Sequence, residues 1–325
     1  MWPFKKRPDD AETDTVKFND LLRDQGARQL LRALRERDWP TARDILTAAD
    51  PEHFMFYMWC VSGADGLQEW IPDVIRAEPD STLPLLARGA HAISWAWEAR
   101  GSGTSSTVGE DQWKVWFQRL KLAENCLDEV IDRDPKCAEA WHYLIVLGRA
   151  RQLPMEERWR RFNRLIEIDP AHLLGHQQML ENVMAKWSGS TEAMFDFART
   201  RAAACPGTNI PLLVAQAHRE QRRVEGSDKY LRRADVAGEI YAAAHNSFWH
   251  AGYQRSLMTP MVWNQFAHAL TVGRYFREAC GVYDLIGDDW INSTPWRTTE
   301  RFVTMRDRAR DKADDPDLDP DLDED

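Results

Sequence analysis

Apolar residues recur along this chain at spacings of three and four, the period of a helix buried on one face. Leu21, Leu22, Leu30, Leu31 and Leu34 predict a helix over 20–37. Asp38-Trp39-Pro40 opens a second, since proline in a first turn lacks only an N–H that would go unpaired anyway. Asp50-Pro51 closes it, and Phe54, Tyr57, Met58 and Val61 carry a third. The same spacing predicts helices over 67–77, 83–100, 110–133, 138–150, 156–168, 173–186, 191–204, 210–222, 228–244, 261–272, 276–286 and 294–312. Several stop at a proline, because the residue before it is driven away from the helical region. Ser190 is placed to cap the 191–204 helix with its hydroxyl. Residues 246–260 show no clear period. Nothing alternates with β-branched residues, so the expectation is an all-α chain without sheet.

Pro135, Pro170 and Pro206 lie 35 and 36 residues apart, each after an apolar helical run. That beat is close to the period of a stacked two-helix repeat. Trp141 and Leu144 fall early in a first helix, and Gly89 and Ala267 stand where two helices approach closely. Ala279, Tyr283 and Ile286 share a face of a second helix, and Pro79, Pro135, Pro170 and Pro206 close units. The pattern resembles the tetratricopeptide repeat, in a degenerate, bacterial form. Ile145, Leu180 and Gln216 stand where that family has a small residue. The units ending at Pro79 and Pro135 are 28 and 56 residues long.

The resemblance implies an α-α superhelix, a solenoid of antiparallel helix pairs. It would span 19–312, clearest over 79–222 and 261–287, behind a flexible leader at 1–18. It implies an adaptor that holds a protein or peptide partner on its concave face. Carried over by position, that face consists of Glu139, His142, Arg149, Gln177, Glu181, Glu220, Asn264 and His268.

Composition narrows the partners. The net charge of −10 comes mostly from 314–325, which hold eight acids and no base. Without them 42 bases face 44 acids, so nucleic acid is not an expected partner. The tail at 313–325 is expected to be disordered, having almost nothing apolar to bury. Five cysteines without a C-x-x-C motif read as reduced thiols of a cytoplasmic protein. No apolar run reaches the length of a membrane span, so no membrane partner is expected.

Other constellations carry possible chemistry. Arg88, His91, Trp95 and Glu98 form a stripe that would line a small-molecule cleft under the glycine-serine loop at 101–109. This is the motive for an alternative reading, an enzyme or small-molecule-binding protein on the same scaffold. Arg158, Arg160, Arg161 and Arg164 are expected to face outward around Trp159 and Phe162. His172 and His176 are four apart, as zinc ligands on a helix can be, but Leu173 stands where a zincin has its glutamate. No third ligand is evident, so no metal is expected. No phosphate loop, dinucleotide fingerprint or G-x-S-x-G elbow occurs, so no cofactor is expected and no catalytic residue is assigned.

Overall fold

A computed structural model describes residues 16–101 and 108–313. The acidic tail from 314, most of the leader and most of the glycine-serine loop lie outside the described residues. Among the described residues every regular element is helical. No helix there is long and apolar enough to cross a membrane. The described residues divide into two compact units, one from Asp24 to Asn182 and one holding 183–313 together with 16–23.

The first unit holds α1 (Gln25–Glu36), α2 (Trp39–Ala48), α3 (Pro51–Ser62), α4 (Leu67–Ala77), α5 (Leu83–Arg100), α6 (Glu110–Arg133), α7 (Ala138–Ala150), α8 (Met155–Ile168) and most of α9 (Leu173–Val183). Aspartates start the early helices. Asp24, Asp38 and Asp50 each accept from the N–H three residues on, which satisfies a first-turn donor. The first helix begins at Gln25 rather than at 20, because Leu22 and Arg23 both take positive φ. Helices α5 and α6 lie against each other at Gly89, where a Cβ would stand 2.9 Å from Leu127 Cδ2. The close approach expected at that glycine is present. Tyr143 of α7 donates its hydroxyl to the Met58 carbonyl of α3 at 2.9 Å and ties the middle of the core together.

The two Asp-Pro stops build one local structure twice. Asp134 accepts from Lys136 N–H through its carboxylate and from Cys137 N–H through its carbonyl. Asp169 does the same with Ala171 and His172. These two turns, at Asp134 and Asp169, share the same pair of hydrogen bonds.

The second unit holds α10 (Thr191–Ala204), α11 (Leu212–Glu225), α12 (Ala234–Asn246), α13 (Thr259–Val272), α14 (Phe276–Ile286), α15 (Ser293–Trp296) and α16 (Thr299–Lys312). Ser190 caps α10 as expected, accepting from Ala193 N–H at 3.0 Å. The single helix expected over 228–244 is a 3-10 turn, Tyr230–Arg232, followed by α12. The helix expected from 294 to 312 is broken at Arg297, whose φ is 73°. The unit's core includes a cluster of Tyr283, Trp296 and Phe302, mostly edge-to-face, with ring centroids 5.2–5.8 Å apart. Asn19 and Asp20 pin the N-terminal segment to this unit by bonds with Ile291 and Ser293.

Candidate functional site

Two of the helices expected to present an open concave face, α7 and α13, are buried. Every residue of α7 from Glu139 to Arg149 is buried, and so is every residue of α13 except Met261. A helix covered all round is a core helix. Glu139, His142, Arg149, Asn264 and His268 therefore lie inside, not on an open surface. Gln177, Glu181 and Glu220 are half-buried. Glu181 is 3.4 Å from Arg149, and Glu220 pairs with Lys186 at 2.9 Å and Arg223 at 3.0 Å.

Glu139 joins two histidines in the core of the first unit. Its Oε2 lies 2.9 Å from His142 Nδ1, and its Oε1 lies 2.7 Å from His172 Nε2. Burial works to raise the Glu139 pKa, but His172 and His142 outweigh it and hold the carboxyl down at about 2. Burial lowers the His142 pKa more than Glu139 raises it. These three groups converge closely enough to suggest a metal site. The next shell argues against one. Gly175 N–H donates to His172 Nδ1 at 2.9 Å, so His172 caps α9 with a lone pair. That fixes the ring proton on Nε2, the atom a metal would need bare. The Glu139 carboxylate draws the His172 pKa up against burial, yet the capping bond requires a neutral ring. His176 turns away, with Nδ1 2.9 Å from the His172 carbonyl. The group is a hydrogen-bonded core cluster.

The stripe on α5 is also spent internally. His91 lies between the Ser62 carbonyl, 3.3 Å from Nδ1, and Gln68 Oε1, 2.8 Å from Nε2. Burial pushes its pKa down to about 4. Arg119 covers the Trp95 ring at 3.6 Å. Arg88 is half-buried and Glu98 exposed. The outward arginine face of α8 needs correction too. Arg158 and Arg161 are buried, donating to the Leu153 and Leu144 carbonyls at 2.7 Å. Arg160 pairs with Glu157, and Arg164 with Glu167.

One cleft was not expected. It lies in the second unit among α10, α11, the 3-10 turn and α12, and holds about 340 Å³. His218 is its centre. Nε2 lies 3.0 Å from Glu239 Oε2 and Nδ1 lies 2.8 Å from the Tyr230 hydroxyl. Nε2–H donates to the carboxylate, and Nδ1 accepts from the phenol. The ring is neutral, and burial lowers its pKa further than Glu239 raises it. Burial pushes Tyr230 up to about 12. Arg199 grips Glu239 through two bonds of 2.6 and 2.9 Å and holds its pKa down. Arg233 pairs with Asp235 at 2.8 Å.

Two lining groups of α11 keep capacity. Gln221 donates its amide to Glu225 Oε1 at 3.2 Å, while Gln221 Oε1 is buried and accepts nothing. Glu225, exposed at the mouth, makes no ion pair among the described residues. Three carboxylates line the cleft against two guanidiniums.

No family model matches this chain, and no curated protein matches it.

Proposed function

We propose that this chain is a binding protein, a helical adaptor whose ligand presents a cationic nitrogen to the cleft of α10, α11 and α12. The observation that carries the reading is the charge of the lining, three carboxylates against two guanidiniums, with Glu225 exposed and in no ion pair among the described residues. Both arginines of the cleft are already occupied by carboxylates, so the surplus charge is negative. A guanidinium or ammonium group has the donors that the Glu225 carboxylate can accept and the opposite sign. Phe195 and Tyr230 supply flat apolar walls for its stem. The source is an arginine or lysine side chain of a peptide, or a free amine.

The same geometry favours binding over catalysis. Both His218 nitrogens are committed, Nε2–H to Glu239 and Nδ1 to the Tyr230 hydroxyl, so the ring has no free lone pair to act as base or nucleophile. His218 and Tyr230 form a rigid wall braced by Glu239.

Calorimetric titration with Nα-acetyl-arginine amide, Nα-acetyl-lysine amide and the neutral isostere Nα-acetyl-citrulline amide tests the proposal. Binding of a charged probe is expected, weakened about tenfold or more by Glu225→Gln. Tighter binding of an arginine-centred pentapeptide identifies a peptide ligand, and equal binding a small cation. Equal affinity for citrulline, or no binding of any probe, overturns the reading.

A further inference from the structure

A second site lies in the same unit, outside the cleft, and its chemistry is the opposite. Segment 246–260 leads into α13 and holds no acid. Arg255, exposed within it, lies over two indole rings, 4.7 Å from the centre of Trp263 and 5.3 Å from that of Trp290. Contact through the face of a guanidinium leaves the N–H donors at its edge unspent. Arg255 makes no hydrogen bond or ion pair among the described residues. None of these three residues lines the cleft.

The indoles beside it also lack acceptors. Trp263 is 4% exposed, and its Nε1–H is buried and donates to nothing among the described residues. No described residue accepts from the half-buried Trp290 Nε1–H either. Other indoles of this chain are provided for. Trp39 donates to Glu78 at 3.2 Å, Trp141 to the Pro135 carbonyl at 2.9 Å and Trp296 to Asn264 at 2.7 Å. Acids lie near Trp290 in sequence, but they are taken. Asp284, Asp288 and Asp289 pair with Arg310, Arg306 and Arg23.

We infer that Arg255 and Trp263, with Trp290 beside them, form a binding site for one carboxylate group. Its two oxygens match the donors present, one at the guanidinium edge and one at an indole N–H, and its single charge matches the single guanidinium. A phosphate, at nearly two charges, would exceed that guanidinium. The carboxylate comes from a small organic acid or from the eight acids of 314–325 in this same chain.

The indole N–H resonances of the isotope-labelled full chain report directly, assigned through Trp263→Phe and Trp290→Phe. Acetate, titrated at constant ionic strength against chloride, should move the Trp263 and Trp290 signals along a saturating curve and leave the other indoles in place. Arg255→Met keeps an apolar stem on the rings and removes the charge, so it should weaken acetate about tenfold or more. Changing the acids of 314–325 to amides in the full chain separates the two sources. If that change alone moves both signals, and acetate binds only afterwards, the tail is the occupant and the site stands. Saturable binding of acetate to the wild-type chain makes a small acid the occupant. Signals that stay still in every arm, an unchanged acetate affinity in Arg255→Met, or a response to inorganic phosphate without one to acetate overturns the inference. The wild-type titration decides by itself if a variant fails to fold.

Discussion

Asn264 shows what a polar residue on a helix can be. Position in a repeat assigns it to a binding face, but in the fold it uses four hydrogen bonds at once. It donates to the Pro260 carbonyl at 2.7 Å and the Trp290 carbonyl at 2.8 Å. It accepts from the Trp296 indole at 2.7 Å and Asn292 N–H at 3.2 Å. The isosteric change Asn264→Leu would orphan all four partners in a site with no access to water. We expect a loss of at least about 3 kcal/mol, read as a lower urea midpoint at unchanged m. A change within about 0.5 kcal/mol would mean that these bonds contribute nothing net. Glu139 teaches the same lesson, because its partner His172 comes from a different helix, 33 residues later. Spacing shows that a residue is polar. It does not show whether water or another side chain satisfies it.

The helices were legible where local chemistry sets them. Helices α4, α5, α6, α7 and α14 fall on the bounds that periodicity predicts, since caps and proline stops act over a few residues. The end of α9 was less legible, and Gly189 explains why. The chain turns back there, with Gly189 N–H on the Met184 carbonyl and Ser190 N–H on the Val183 carbonyl, each at 3.1 Å. A Cβ on Gly189 would stand 1.9 Å from the Val183 carbonyl oxygen, a clash with backbone that no rotamer relieves. Gly189→Ala should therefore cost about 3 kcal/mol, well above the roughly 1 kcal/mol expected for removing the neighbouring cap by Ser190→Ala. Thermal melts of the two variants side by side check the order, and equal losses would refute the clash. The cleft lay further out of reach of sequence. Arg199, His218, Tyr230 and Glu239 belong to three helices and a 3-10 turn, and no local spacing brings them together. The buried α7 did carry a signal, since Trp141 to Leu147 is apolar on every side apart from His142.

At the scale of the whole molecule, buried histidines couple folding to pH. His91 and His268 titrate in the folded chain at about 4 and about 3, and burial is the first cause in both. His142 and His218 are displaced in the same direction. Unfolding returns each ring to water, where a histidine titrates near 6.5. Below that pH the unfolded chain binds protons that the folded chain refuses, so stability falls as pH falls. The slope persists until the folded rings titrate, which for His91 and His268 means down to about 4 and about 3. His172 moves the other way, and its capping bond to Gly175 limits that gain. Glu139 adds to the loss below about 4.5, since its folded pKa of about 2 makes protonation another force for unfolding. His91 and His268 together give about 2–3 kcal/mol per pH unit over this window. The urea midpoint should accordingly drop between pH 7 and pH 5, while the tryptophan-rich core reports unfolding by fluorescence. His91→Gln preserves hydrogen bonding toward Ser62 and Gln68 but cannot titrate, so it should flatten part of that slope. A midpoint constant from pH 7 to pH 5 would show that these rings are not held neutral by the fold.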